Sequence, residues 1–320
     1  MATAIDEKIY KSAGSIFQKI FNEIGKVIVG QKSTIENLLI AMLCDGHVLL
    51  EGYPGLGKTL MISTLAKIMD LKFSRIQCTP DLMPSDITGT YIIEESEGKK
   101  TFRFEPGPVF ANIVLADEIN RATPKSQSAF LEAMQERQVT VGNETYKFDR
   151  PFFVLATQNP IEMEGTYPLP EAQVDRFLLK LIVTYPTVEE ESKIVEMHAS
   201  YSPPQIEKVI DKEAMLGLQR LTRQVPISEE LKKRALDIVT LTRSKDFSAK
   251  IEYGASPRAS IGLVLAAKAR ALIQGRNFVS KDDINAMAYP ILRHRMILTF
   301  DAERKGITQD TVINEIIGKL

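Results

Sequence analysis

Gly52-Tyr53-Pro54-Gly55-Leu56-Gly57-Lys58-Thr59 fits the pattern G-x-x-x-x-G-K-[ST]. Glycines at these places let a loop turn its backbone N–H groups inward at phosphate oxygens. Lysine supplies a point charge for the outer phosphates, and the threonine hydroxyl is a ligand for Mg2+. Leu60 then lies in the first turn of a helix whose positive end faces the anion. A dinucleotide loop is excluded, because the glycines do not fall as G-x-G-x-x-G. Further along, Asn112–Ala116 is an apolar run that ends in Asp117 and Glu118. Asp117 suits a Mg2+ site and Glu118 suits a general base that polarises water. After a further apolar run, Phe152–Thr157, comes Asn159. It could orient that water against a γ-phosphate, although Asn-Pro also starts turns. Arg176 either pairs locally with Asp175 or serves as an arginine finger on a neighbouring subunit's nucleotide. Arg258 stands in a helical first turn opened by Ser256-Pro257, where a cation opposes the helix dipole. A broken local rule marks a functional position, here a reach from a helical domain to a γ-phosphate. The expected set is therefore Lys58, Glu118, Asn159, Arg176 and Arg258 for catalysis. Pro54 to Leu60 would hold the phosphates of ATP or ADP, and Thr59 and Asp117 the Mg2+.

These residues need a scaffold. His47–Glu51, Lys72–Ile76, Ile113–Asp117, Phe152–Thr157 and Leu178–Val183 read as strands, several of them continuous apolar runs of the kind buried on both faces. Lys58–Met69 and Pro124–Arg137 read as helices between them, the second opened by an N-cap Thr123 and a first-position proline. Such alternation implies a mostly parallel sheet covered on both sides. Thr90–Ile93 with Phe102–Phe104, and Gln138–Val141 with Thr145–Phe148, read as two hairpins, with Gly98 near one turn and Gly142-Asn143-Glu144 forming the other. After Pro186 the strand signal fades. Glu189–Ser200, Lys212–Arg223, Ser228–Ser244, Pro257–Gln274 and Ser280–Leu298 read as helices. The expected division is an α/β core over residues 1–186 and a smaller all-helical domain over residues 187–320.

Composition narrows the function classes. The 320 residues carry a net charge of -1 and are 25% charged and 44% hydrophobic, which excludes wholesale disorder and a strongly basic DNA-coating protein. Two cysteines, Cys44 and Cys78, exclude a disulfide scaffold or a zinc ribbon and are expected as buried small hydrophobes. His47, His198 and His294 have no metal-ligand spacing. No run approaches the ~18 apolar residues of a membrane helix, and the N-terminus MATAIDEKIYKS lacks the apolar core of a secretory signal. The expectation is a cytoplasmic protein.

In this order the motifs resemble those of AAA+ ATPases. Gly52–Thr59 resembles Walker A, Ile113–Glu118 Walker B, Asn159 sensor 1, Arg176 the arginine finger and Arg258 sensor 2. Val29-Gly30-Gln31 resembles the segment that contacts adenine. The two hairpins resemble the helix-2 and pre-sensor-1 inserts of a clade that includes MCM helicases, magnesium-chelatase ATPase subunits and MoxR proteins. Pro80–Gly89, Gly107–Asn112, Asp117–Ala122, Leu131–Val139, Thr157–Pro160 and Glu164–Gln173 are similar to the MoxR forms of these segments. The resemblance implies a five-stranded AAA+ core with a helical lid and a ring, usually of six subunits, with Mg2+ and ATP between them. It also implies chaperone-like remodelling of client proteins, with a von Willebrand factor A domain protein as partner. A magnesium-chelatase-like motor is the near alternative. An MCM-like nucleic-acid motor is disfavoured by a hairpin at Val139–Phe148 that balances Lys147 with Glu144 and shows no basic-aromatic pattern.

Overall fold

The computed structural model describes residues 7–96, 99–160, 165–199 and 204–320. The first six residues, Gly98, Glu164 and Ser200 lie outside them. The described residues open with two helices, α1 (Glu7–Ile24) and α2 (Lys32–Leu43), neither among the elements expected above. In α1 the buried residues are Tyr10, Ala13, Phe17, Ile20 and Ile24, the three-and-four spacing of one helical face. Each large side chain buried there contributes ~1.5–3 kcal/mol.

The α/β portion runs β1 (Val48–Gly52), α3 (Lys58–Ile68), β2 (Phe73–Gln77), α4 (Pro84–Thr88), β3 (Gly89–Ser96), β4 (Lys99–Pro106) and β5 (Ile113–Asp117). It continues through α5 (Pro124–Glu136), β6 (Gln138–Val141), β7 (Glu144–Lys147), β8 (Phe153–Gln158), α6 (Glu171–Val174) and β9 (Leu179–Val183). All five expected sheet strands are present, in the order β2-β5-β8-β1-β9 and all parallel. Their side chains alternate between two cores. Val48, Leu50, Ile113, Leu115, Phe153 and Leu155 join the helices α1 to α3. Leu49, Val114, Ala116, Val154 and Ala156 join α5 and the hairpin roots. Period-two burial on both faces is why these strands read as unbroken apolar runs. The expected hairpins are β3–β4 and β6–β7, the former longer than its apolar residues suggested.

The stretch after β9 comprises α7 (Val188–Ala199), α8 (Lys212–Gln224), α9 (Glu229–Leu241), β10 (Ile251–Tyr253), α10 (Pro257–Ile273), α11 (Lys281–Leu292), β11 (Ile297–Leu298), α12 (Phe300–Arg304) and α13 (Gln309–Lys319). It is helical except for a small antiparallel ladder between β10 and β11, so "all-helical" needs that correction. The helix expected over Ser280–Leu298 ends at Leu292, and Ile297–Leu298 belongs to the ladder. Strands this short leave no periodic signal. The lid shares the larger core with the α/β portion. At the seam of α1 with the end of α10, a Cβ on Gly14 would meet the Gly275 Cα at 2.6 Å. Cys44 and Cys78 are buried, as expected.

Candidate functional site

The phosphate loop leaves β1 at its carboxyl end, where ligands of parallel sheets sit. Gly55 and Gly57 have φ of 82° and 71°, a left-handed conformation that glycine adopts without strain. A Cβ at either position would meet nothing within 4 Å, so the loop borders open space. That space is a cavity of about 450 Å³ lined by Pro54 to Leu60, Arg75, Asp117, Glu118 and Asn159. Lys58 donates to the Gly52 carbonyl at 2.7 Å. Burial lowers its pKa against the opposing pull of Asp117 and Glu118.

Strand register brings in partners that the linear sequence conceals. Gln77 on β2 lies opposite Asp117. Arg75, two residues earlier on the same strand, pairs with Asp117 Oδ2 at 2.6 Å. The Thr157 hydroxyl on β8 donates to Asp117 Oδ1 at 2.6 Å and accepts from the Glu118 backbone N–H at 2.8 Å. Glu118 adopts φ 56°, a strained conformation for a residue with a side chain, of the kind stored at functional sites. Its Oε2 accepts from Gln77 at 3.1 Å and from Arg121 at 3.2 Å. Asn159 is buried within the same cavity. Nearby, burial and the two acids push the Cys78 thiol up to about 12, so it stays protonated.

Val29-Gly30-Gln31 touches the loop from the other side. Gln31 donates through Nε2 to the Leu56 carbonyl at 3.2 Å, while its buried Oε1 has no partner among the described residues. Gly30 has φ 68°, and a Cβ there would meet the Glu190 carboxylate at 2.3 Å. Val29 and Gly30 border a cavity of about 920 Å³ between α1, α2, α7 and α10. Tyr53 of the loop stacks on Tyr185 at 4.9 Å.

Arg176 and Arg258 do not enter the phosphate cavity. They line another of about 300 Å³, together with His47, Arg137, Asp175 and Arg295. The strands explain the separation. β1 and β9 run parallel with Val48 opposite Leu179 and Gly52 opposite Val183. The phosphate loop follows the end of β1, whereas Arg176 precedes the start of β9. Five strand residues at ~3.3 Å each put about 16 Å between the two levels. The local Asp175–Arg176 pair foreseen as the bland alternative does not form. Asp175 takes Arg295 at 2.8 Å, Arg258 at 3.2 Å and the Ser256 hydroxyl at 3.2 Å. Arg176 donates to the Leu131 carbonyl at 3.5 Å. The cation in the first turn of α10 is thus answered by Asp175.

Magnesium can be tested against these donors. Thr59 and Asp117 are hard oxygen ligands in one cavity, and no group of three or more His, Cys, Asp or Glu able to hold a metal occurs among the described residues. That suits Mg2+ brought in on a nucleotide's phosphates rather than held in a protein cage.

A glycine-rich loop between β1 and α3, an acidic pair one strand removed on β5, and a helical lid define the AAA+ class of P-loop proteins. The comparisons agree. The family described as "ATPase family associated with various cellular activities (AAA)" matches residues 47–179, and an AAA lid domain matches residues 243–316. The chain is 45% identical over 301 residues to Chaperone MoxR1 of Mycobacterium tuberculosis, covering 92% of this chain and 79% of that protein. It is 47% identical over 302 residues to the uncharacterized protein YeaC of Bacillus subtilis, covering 93% and 92%. A solved structure of a candidate ATPase from Cytophaga hutchinsonii aligns with a TM-score of 0.92 at 46% identity, covering 98% and 97%. The chain belongs to the MoxR family of AAA+ ATPases. Among its described residues, no helix is long and apolar enough to cross a membrane.

Proposed function

We propose that this protein is a cytoplasmic, Mg2+-dependent ATPase that works as a homo-oligomeric ring, usually of six subunits, and remodels client proteins in a chaperone-like way. Residues 1–186 form its core and residues 187–320 its lid. The phosphates lie in the cavity of Pro54 to Leu60, and the base enters the cavity bordered by Val29 and Gly30. Lys58 binds the outer phosphates, Glu118 takes a proton from the attacking water, and Asn159 orients that water. Thr59 and Asp117 would hold Mg2+, which would supply neutralisation of phosphate charge.

The observation that carries the reading is the placement of Arg176 and Arg258 at the opposite end of the sheet from their own phosphate loop. Neither can serve the nucleotide of its own subunit without large movement, yet both face a common cavity. A neighbouring subunit that sets its phosphate loop against this cavity receives two cations for transition-state charge. Arg258, expected to reach a γ-phosphate from the helical domain, would thus reach that of a neighbour. A partner with a von Willebrand factor A domain fits the family. A nucleic-acid motor is less favoured, since Tyr146 of the β6–β7 hairpin stacks on Phe104 at 4.0 Å instead of standing free for bases.

Single substitutions test the site. Lys58→Ala is expected to abolish ATP binding. Glu118→Gln is expected to bind ATP but to turn over at least ~100-fold more slowly, as loss of a general base requires. Ordinary turnover by Glu118→Gln would remove the base assignment.

A further inference from the structure

Arg75 is conspicuous in the phosphate cavity because the sequence gives it no role, yet it makes the shortest ion pair to the metal-side acid. It lies on the edge strand β2, its side chain is 47% exposed, and it lines the cavity. Its Nη2 and Nε both donate to Asp117 Oδ2, at 2.6 and 3.2 Å. The other oxygen, Oδ1, already accepts from Thr157. Both oxygens of the acid are therefore engaged, one by a cation. A divalent ion arriving on a nucleotide needs hard oxygens at this place, and a guanidinium on the same oxygen both competes with it and repels it.

Arg75 is also tied to the second acid. Its Nη2 donates to Gln77 Oε1 at 2.6 Å, and the Gln77 Nε2 donates to Glu118 Oε2 at 3.1 Å. One chain of hydrogen bonds thus runs from Asp117 through Arg75 and Gln77 to Glu118. As a purely structural device the pair is poorly placed, since a half-exposed ion pair contributes little stability. We propose that Arg75 is a positioning residue: it holds Asp117 until Mg2+ enters with the nucleotide, and would then withdraw from that oxygen. The proposal rests on the nucleotide-binding reading above.

The test is calorimetric binding of ADP, once in EDTA and once with saturating Mg2+, so that no turnover is involved. The quantity read is the factor by which Mg2+ strengthens ADP binding. In Arg75→Gln this factor is expected to rise about fivefold over wild type, the equivalent of one partly exposed ion pair no longer broken. In Arg75→Lys, which keeps the charge but cannot place two donors on one oxygen, it should fall between the two. On an Asp117→Asn background, Arg75→Gln should raise the factor by clearly less, because only the repulsion is left to relieve. Equal weakening of ADP with and without Mg2+ would make Arg75 a phosphate ligand and overturn the proposal, and so would an unchanged factor. Wild-type protein that bound no ADP would instead overturn the nucleotide reading itself.

Discussion

Asp117 and Glu118 show how single side chains here draw on strands far apart in the chain. The acids, Lys58 and Thr59 were legible because each belongs to a contiguous run of fixed spacing. Arg75, Gln77 and Thr157 were not, since their roles depend on β2 and β8 flanking β5, an order no local pattern encodes. The same holds for Arg258, whose partner Asp175 comes from the other domain. His47 gives a prediction of its own. It is buried, its Nδ1 accepts from the Val154 N–H at 3.1 Å, and burial, with the Arg137 charge adding, lowers its pKa from 6.5 to about 3. The unfolded chain therefore takes up a proton below pH 6.5 that the folded chain refuses, and stability falls as pH drops through 6.5. By pH 5 the loss from this residue is about 2 kcal/mol. His294, held well below its ordinary value chiefly by burial, adds to the same slope. Denaturant titrations between pH 7 and 5 should show a shallower loss in His47→Gln, and an identical slope would contradict this assignment.

Aromatic packing joins the two hairpins. Phe104 of β4 stacks on Tyr146 of β7, and Phe110, Phe148 and Phe152 continue the contact to His47 at the arginine cavity. The Tyr91 and Tyr146 hydroxyls hydrogen-bond at 3.1 Å. Sequence alternation revealed each hairpin but not their union, because cross-hairpin neighbours are distant in the chain. A double-mutant cycle with Phe104→Leu and Tyr146→Leu should give a coupling of about 1 kcal/mol in unfolding free energy. Coupling near zero would mean that the hairpins stand independently. The root is tighter still: Gly89 has φ 92°, and a Cβ there would meet the Glu105 carbonyl at 2.3 Å. The ladder of β10 with β11 was missed for the opposite reason, having too few residues to show a period. Helix α1 shows its buried face as a three-and-four spacing, whereas α2 is buried continuously from Leu38 to Leu43 and shows no such period.

The assembled chain is an AAA+ fold with its phosphate cavity and its arginine cavity at opposite ends of one sheet. Phosphate loop and acids lie at the carboxyl end of the strands, and Arg176 and Arg258 at the amino end. In the proposed ring the arginines would meet another subunit's nucleotide, so activity should depend on assembly. Specific ATPase activity is expected to rise with protein concentration as molar mass by light scattering climbs to several protomers. The most direct test of the shared site is to mix subunits. Lys58→Ala and Arg176→Ala proteins should each be inactive alone, the latter by the ~10³–10⁵-fold that an arginine finger contributes in related systems. In mixed rings, Lys58→Ala subunits lend an intact Arg176 to the intact phosphate loops of their neighbours, and turnover should partly return. If mixed rings form and no ratio restores turnover, Arg176 does not act across the subunit boundary.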